Sequence, residues 1–356
     1  MNVAINTGGG DAPGLNAAIR AATLAGIKRG WNMYGIKNGY GSLFTDEPFV
    51  ELNAKTVRGI TVQGGTILGT VNHGNPFAMP YTAEDGSEKH KDLSGRVIEV
   101  FAEYNIDALI AIGGDGSMLI ANKLIEKGLK IVGIPKTIDN DIYGCEVSLG
   151  FDTAVTTATE AIDKLTTTAE SHHRLMTVEV MGRNAGWIAL HAGLSAAADV
   201  ILIPEIPFQY KSIVQKIEKR EKKGRNYTII VVAEGAKEKD GEVFKTKKGE
   251  EYKLGGIANF VGRELSKHTG KEHRSIVLGH LQRGGSPTTY DRLISLRFGA
   301  AAIRCVQKGD FNKMVTLNGS KMTNVPITYI AGKNKEIPLD SDTLQTARDI
   351  GICIGD

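Results

Sequence analysis

At 356 residues, with 41% apolar and 23% charged residues and a formal net charge of +3, the chain has globular composition. It exceeds the size at which one hydrophobic core usually stops growing, so two domains are expected. Its most basic stretch, 216–225, interleaves Glu218 and Glu221 as a solvated helix face would, which argues against nucleic acid as a partner, and no apolar run approaches the roughly 20 residues of a membrane span.

The three cysteines, Cys145, Cys305 and Cys353, are scattered and form no CxxC pair, the pattern of reduced thiols. The opening MNVAINTGGG shows no basic region followed by an apolar one, so no signal peptide is visible and a cytoplasmic protein is expected.

In chain order, residues 2–6 predict a strand, 7–14 a glycine-rich loop and 15–28 a helix with small residues on one face. Backbone N–H groups at such a turn, together with the helix dipole, favour an anion. A strand over 33–36 ends at Asn38-Gly39-Tyr40-Gly41, and a loop begins at Gly64-Gly65-Thr66. The spacing predicts a polar-faced helix over 88–104, a buried strand over 108–112, a helix over 118–128 and a strand over 130–134. Beyond Gly150 come a helix over 152–168, strands at 175–181, 200–204, 228–233 and 275–278, and helices at 185–197, 211–223 and 256–269. The polar stretch 237–252 reads as a mobile hairpin or excursion, and 279–287 as a further glycine-rich loop. Alternation of strand and helix points to doubly wound α/β layers.

In such layers ligands bind at the carboxyl ends of the strands. Two strand ends carry chemistry. Asp115 stands in Gly113-Gly114-Asp115-Gly116-Ser117, where a carboxylate could hold Mg²⁺, which needs only one or two protein carboxylates beside substrate phosphates. Ile134-Pro135-Lys136-Thr137-Ile138-Asp139-Asn140-Asp141 puts two carboxylates and a hydroxyl on one turn. In an extended segment Asp139 and Asp141 share a face and can divide roles, one as general base and the other in metal or hydrogen-bonding work.

These two segments, with Gly8-Gly9-Gly10-Asp11-Ala12-Pro13-Gly14-Leu15-Asn16, Met181-Gly182-Arg183 and Gly279-His280-Leu281-Gln282-Arg283-Gly284-Gly285, follow the order of the phosphofructokinase family. The chain resembles that family over most of its length. GGDGS alone also occurs in kinases of the NAD and diacylglycerol type, but that pattern does not account for GHLQRGG.

The resemblance implies two similar Rossmann-like three-layer α/β domains with largely parallel sheets and an active site in the inter-domain cleft. The donor (ATP/Mg) domain would take 1–150 and about 282–332, and the fructose 6-phosphate domain 151–281 and about 333–356. It implies a glycolytic kinase that moves a phosphoryl group to the 1-hydroxyl of fructose 6-phosphate, with Mg²⁺ as cofactor and ATP as co-substrate. Asp139 matches the base for the sugar hydroxyl, with Thr137 and Asp141 beside it, and Asp115 matches the metal-site acid. Arg183 and Gly10 match groups that stabilise the transferring phosphoryl. Donor binding would involve Gly10, Tyr40, His73, Gly114, Asp115, Gly116, Ser117 and Lys136. The sugar phosphate would be held by Thr137, Asp139, Arg174, Met181, Gly182, Arg183, Glu234, Arg274, His280 and Arg283. Arg174 and Arg274 typically reach in from a neighbouring subunit, which implies a homotetramer or homodimer with a shared substrate site.

The donor signature is mixed. In the family, pyrophosphate users tend to carry Asp where this chain has Gly116, and Lys where this chain has Lys136; many ATP users carry Gly there. An Asp at 116 would put bulk and charge where the α-phosphate of ATP must lie, whereas Lys136 adds a cation without excluding a nucleotide. Gly116 therefore favours ATP, with pyrophosphate as the alternative. His73 stands where ATP users usually present an arginine, and is a weaker, titratable cation.

Overall fold

The computed structural model describes residues 1–71, 74–83, 85–239, 241–248 and 251–356, with backbone alone for 245–248 and 251–254. The chain divides into two compact units. One comprises Met1–Ile138, Ile142–Asp152 and Arg283–Asn334, the other Asp139–Asp141, Thr153–Gln282 and Lys335–Asp356.

The chain begins β1 (Asn2–Thr7), α1 (Leu15–Ile27), β2 (Asn32–Gly35), β3 (Val50–Leu52), β4 (Met79–Thr82), β5 (Glu88–Lys91), α2 (Ser94–Glu103), β6 (Ala108–Gly113), α3 (Asp115–Glu126) and β7 (Ile131–Pro135). It continues with α4 (Phe151–His172), β8 (Leu175–Val180), α5 (Trp187–Ser195), β9 (Val200–Leu202), α6 (Tyr210–Glu221), β10 (Thr228–Ala233), β11 (Lys245–Lys248) and β12 (Glu251–Leu254). The last elements are α7 (Ile257–Thr269), β13 (His273–Val277), α8 (Thr289–Lys308), β14 (Lys313–Asn318), β15 (Lys321–Pro326), α9 (Ile327–Ile330) and α10 (Asp342–Asp349).

In the first unit a seven-stranded sheet runs β15-β14-β7-β6-β1-β2-β3. Its inner pairs β14–β7, β7–β6, β6–β1 and β1–β2 are parallel, and both edges, β15 and β3, are antiparallel. β6 is apolar and buried along its whole length, as a strand covered on both faces must be. Register sets Thr7 opposite Ile112 and Gly113 opposite Pro135, so β1, β6 and β7 end at one level. Side chains from Ala4, Ile36, Leu109, Ala111, Met118 and Ile131 join one buried cluster.

The second unit has a smaller, wholly parallel sheet of four strands, β13-β8-β10-β9. Its core gathers Leu175, Leu202, Phe208, Ile230, Val261 and Leu265. β11 and β12 pair antiparallel as a separate two-stranded sheet that overlaps the end of the polar stretch 237–252 read as a hairpin or excursion.

Three expectations change. Residues 88–91 are a strand paired with β4, not the start of a helix. Asp92 ends that strand by accepting hydrogen bonds from the Ser94 backbone and hydroxyl, and α2 begins only there. α3 starts at Asp115, earlier than its apolar periodicity suggests, which puts this carboxylate in the first turn where the helix dipole favours it. Asn140 is left-handed, with φ 53, so Asp139 and Asp141 do not share a face through extended backbone.

All three cysteines are free thiols, two of them buried. Among the described residues no helix is long and apolar enough to cross a membrane.

Candidate active site

In the first unit the common level of β1, β6 and β7 brings three loops together. The loop after β1 carries three successive carbonyls that each accept a side-chain donor: Gly9 from Thr70 Oγ1, Gly10 from Lys136 Nζ at 2.5 Å, and Asp11 from Arg283 Nη1 at 3.0 Å. Lys136 is 3% exposed, so its cation is spent partly on holding this loop. A Cβ on Gly10 would stand 2.7 Å from Arg283 Nη1, and one on Gly113 2.2 Å from Ser117 Oγ; glycine is what lets these side chains approach the backbone. Gly10, Gly114, Asp115, Ser117, Lys136 and Arg283 thus sit around one loop cluster, with Thr137 next along the chain, its carbonyl accepting from Ser148 Oγ at 2.7 Å.

Gly116 is a different kind of glycine. It has no φ in the left-handed region, and no atom lies within 4 Å of the point where a Cβ would be. Neither backbone nor packing within the chain requires glycine there.

Asp115 is suited to a cation. Burial raises its carboxyl pKa, a backbone hydrogen bond from Gly332 opposes that, and Oδ1 is buried with no hydrogen-bond partner. Among the described residues no group of three or more His, Cys, Asp or Glu could hold a metal ion, and Mg²⁺ needs only one or two protein carboxylates where phosphates supply the rest.

Tyr40 does not join this cluster. It is 5% exposed within the buried core, where burial pushes its hydroxyl up to about 12 against a hydrogen bond from Asn6. His73 lies outside the described residues.

In the second unit the candidates separate. Met181, Gly182, Arg183 and Glu234 follow β8 and β10, and His280 lies in the turn Gly279–Arg283 that follows β13. Buried Gln282 of that turn accepts from Met181 N at 3.3 Å, and Gly235 N donates to Gly182 O at 3.1 Å, so these carboxyl-end loops are knit together. Arg174 and Arg274 lie at the opposite, amino-terminal end of β8 and β13. Both pair with Glu272, Arg174 Nε at 2.6 Å. The Arg174 guanidinium, with help from Arg274, holds the Glu272 carboxyl below the usual range. β8 has six residues, and at about 3.3 Å per residue the two groups stand roughly 20 Å apart. Asp139 and Asp141 belong to this unit, with Asp141 O accepting from Lys335 N at 2.8 Å.

Sequence reasoning assigned no role to Thr70, Thr7 or Asn16, although Asn16 stands inside the first glycine motif. Buried Asn16 accepts from Ile67 N at 2.8 Å and donates to Gln63 O and Gly64 O at 3.2 and 3.1 Å. These are tertiary contacts with no local signal.

The family model for phosphofructokinase matches residues 2–306. The ATP-dependent 6-phosphofructokinase 2 of Clostridium perfringens is 46% identical over 361 residues, covering 99% of this chain and 98% of that protein. The pyrophosphate–fructose 6-phosphate 1-phosphotransferase of Amycolatopsis methanolica is also 46% identical, over 343 residues, covering 95% and 96%. Phosphofructokinase from Pichia pastoris, solved in the T-state, superposes with a TM-score of 0.80 at 29% identity over 98% of this chain. The chain spans only 36% of that longer yeast subunit.

Proposed function

Because the chain belongs to the phosphofructokinase family, we propose that it is an ATP-dependent 6-phosphofructokinase, moving the γ-phosphoryl of ATP to the 1-hydroxyl of fructose 6-phosphate to give fructose 1,6-bisphosphate. The first unit supplies the donor residues. Phosphoryl transfer asks mainly for positioning and charge stabilisation, and the Gly8–Asp11 loop with Lys136 and Ser117 offers backbone donors and a cation for both. Asp115 would hold Mg²⁺, which supplies charge neutralisation on the donor phosphates when bound. The second unit supplies the sugar residues Met181, Gly182, Arg183, Glu234 and His280, and the first unit adds Thr137 and Arg283 to them. Asp139 accepts the proton of the attacking hydroxyl, and Arg183 stabilises the transferring group.

The observation that carries the donor choice is Gly116. Relatives using either donor match at the same 46% identity, so similarity alone does not choose. A glycine that nothing in the chain requires, at the start of α3 beside Asp115, leaves open the space an α-phosphate needs. Lys136, shared with pyrophosphate users, holds the Gly10 carbonyl, a task compatible with ATP. Pyrophosphate use is the second reading, supported by Lys136 itself. Purified protein assayed with fructose 6-phosphate and each donor separately tests the choice: turnover with ATP is expected, and turnover with pyrophosphate alone overturns it.

The separation of Arg174 and Arg274 from the other sugar residues supports a homotetramer, or a homodimer at least, in which a neighbouring copy provides these arginines. A cytoplasmic location accords with the free thiols.

A further inference from the structure

We propose that Thr70 is a positioning residue for the donor-binding glycine loop, acting through the Gly9 carbonyl, and that segment 63–70 is a clasp that fixes this loop before any ligand arrives. The proposal rests on the reading of that loop as the phosphate cradle. A loop with glycine at 8, 9 and 10, and Gly9 left-handed at φ 74, loses much conformational freedom on ordering, so something must hold it.

Lys136 and Arg283 hold two of its carbonyls, and both also bring charge for a phosphate. Thr70 holds the third and brings none. Its hydroxyl donates to Gly9 O, and the segment that delivers it is gripped from both flanks of the loop. Before the loop, Thr7 Oγ1 donates to Gly69 O at 2.8 Å and lies 3.2 Å from Thr66 Oγ1. After it, Asn16 binds the backbone of residues 63, 64 and 67 through both ends of its amide. Thr7 and Asn16 are 0% and 2% exposed, so these bonds form in a poorly solvated setting where polar groups must be satisfied. Among the described residues the N–H groups of Gly9, Gly10 and Asp11 make no hydrogen bond. With its carbonyls tied and these donors left over, the loop presents the polarity that an anion requires.

Thr70→Val removes the hydroxyl and keeps the shape. Loss of one hydrogen bond predicts a fall of roughly 3- to 10-fold in kcat/KM for the donor. KM for fructose 6-phosphate stays within about twofold, and Thr70→Ser restores the donor parameter. A lowered Tm with unchanged donor kinetics would show a merely structural role and overturn the proposal. Titrating ATP and pyrophosphate into the Mg²⁺-supplemented protein without sugar phosphate reads the loop directly. Weaker binding of whichever of the two the wild type binds supports the clasp. Unchanged affinity in Thr70→Val overturns it while leaving the kinase reading intact, and a wild-type protein that binds neither overturns both.

Discussion

In the first unit the candidate residues converge on one end of one sheet, whereas in the second they divide between the two ends of a smaller one. The proposed donor loops after β1, β6 and β7 are stitched by Thr70, Lys136 and Arg283 into one cluster. The sugar residues after β8, β10 and β13 are likewise knit through Gln282, but Arg174 and Arg274 face Glu272 at the far end. On the proposed assignment the donor residues gather within one unit of one polypeptide, whereas the sugar residues would draw two arginines from a neighbouring copy. A pair of arginines displaced by a strand's length from their proposed ligand is explained if each copy serves a neighbour.

The largest expected effect falls on Asp139. Replacing a general base lowers rate by roughly 10²- to 10⁴-fold, so Asp139→Asn should remove most of kcat while leaving fructose 6-phosphate binding nearly intact. Steady-state kinetics with an equilibrium sugar titration checks this. Near-normal turnover would break the base assignment and, with it, the idea that the second unit carries the chemistry as well as the sugar.

The next effect tests the division directly. If Arg274 serves the 6-phosphate as proposed, Arg274→Ala removes charge-assisted hydrogen bonds to it and should raise KM for fructose 6-phosphate by roughly 10- to 100-fold, with donor KM unchanged. Asp139→Asn and Arg274→Ala lie at opposite ends of the proposed shared arrangement. Co-expressed subunits bearing one change each should recover part of the activity that neither homomer shows, because some sites then combine an intact base with an intact arginine. No recovery in confirmed mixed oligomers would break the comparison, placing both groups in one copy's site.

A smaller change sharpens the first unit. A Cβ at 116 has open space and the backbone there is not left-handed, so Gly116→Asp should fold normally. Charge and bulk beside Asp115 should raise KM for ATP by about tenfold while sparing that for fructose 6-phosphate. Equal loss for both substrates would mean that position 116 acts on the fold rather than on the donor.

What could be read before the fold was known follows the same division. β6, β8 and β10 are continuous apolar runs buried on both faces, so strand ends were legible at 112, 181 and 233, within one residue of the observed 113, 180 and 233, and with them the loops where ligands belong. The hairpin of β4 and β5 was not, because a polar exposed pair has no apolar alternation and Glu88–Lys91 resembles a helix face. Asp139 and Asp141 were legible as chemistry but not as geometry, since the left-handed turn at Asn140 depends on tertiary surroundings. Tyr40 was legible as an aromatic ring at a strand end, but its burial in the core and its bond with Asn6 were not. The bonds from Thr70, Lys136 and Arg283 to successive carbonyls link residues far apart in sequence, which no spacing rule reports.

The smallest effect concerns Glu272, which occupies both displaced arginines. If Arg174 and Arg274 serve a neighbour's ligand, Glu272 competes with phosphate for them, and Glu272→Gln should lower KM for fructose 6-phosphate. An exposed ion pair contributes little, so the gain should be the smallest of these effects. The carboxyl is held low by Arg174 first, so its pairing is present above the unfolded carboxylate pKa and is lost only as pH falls through the depressed folded value. Across neutral pH the pair stays ionised, and the gain in the variant should be flat from about pH 6 to 8. A KM that rises in Glu272→Gln would show that Glu272 instead orients the two arginines for the phosphate. The arginines would still belong to the sugar site, but as a pre-formed triad rather than a pair released on binding.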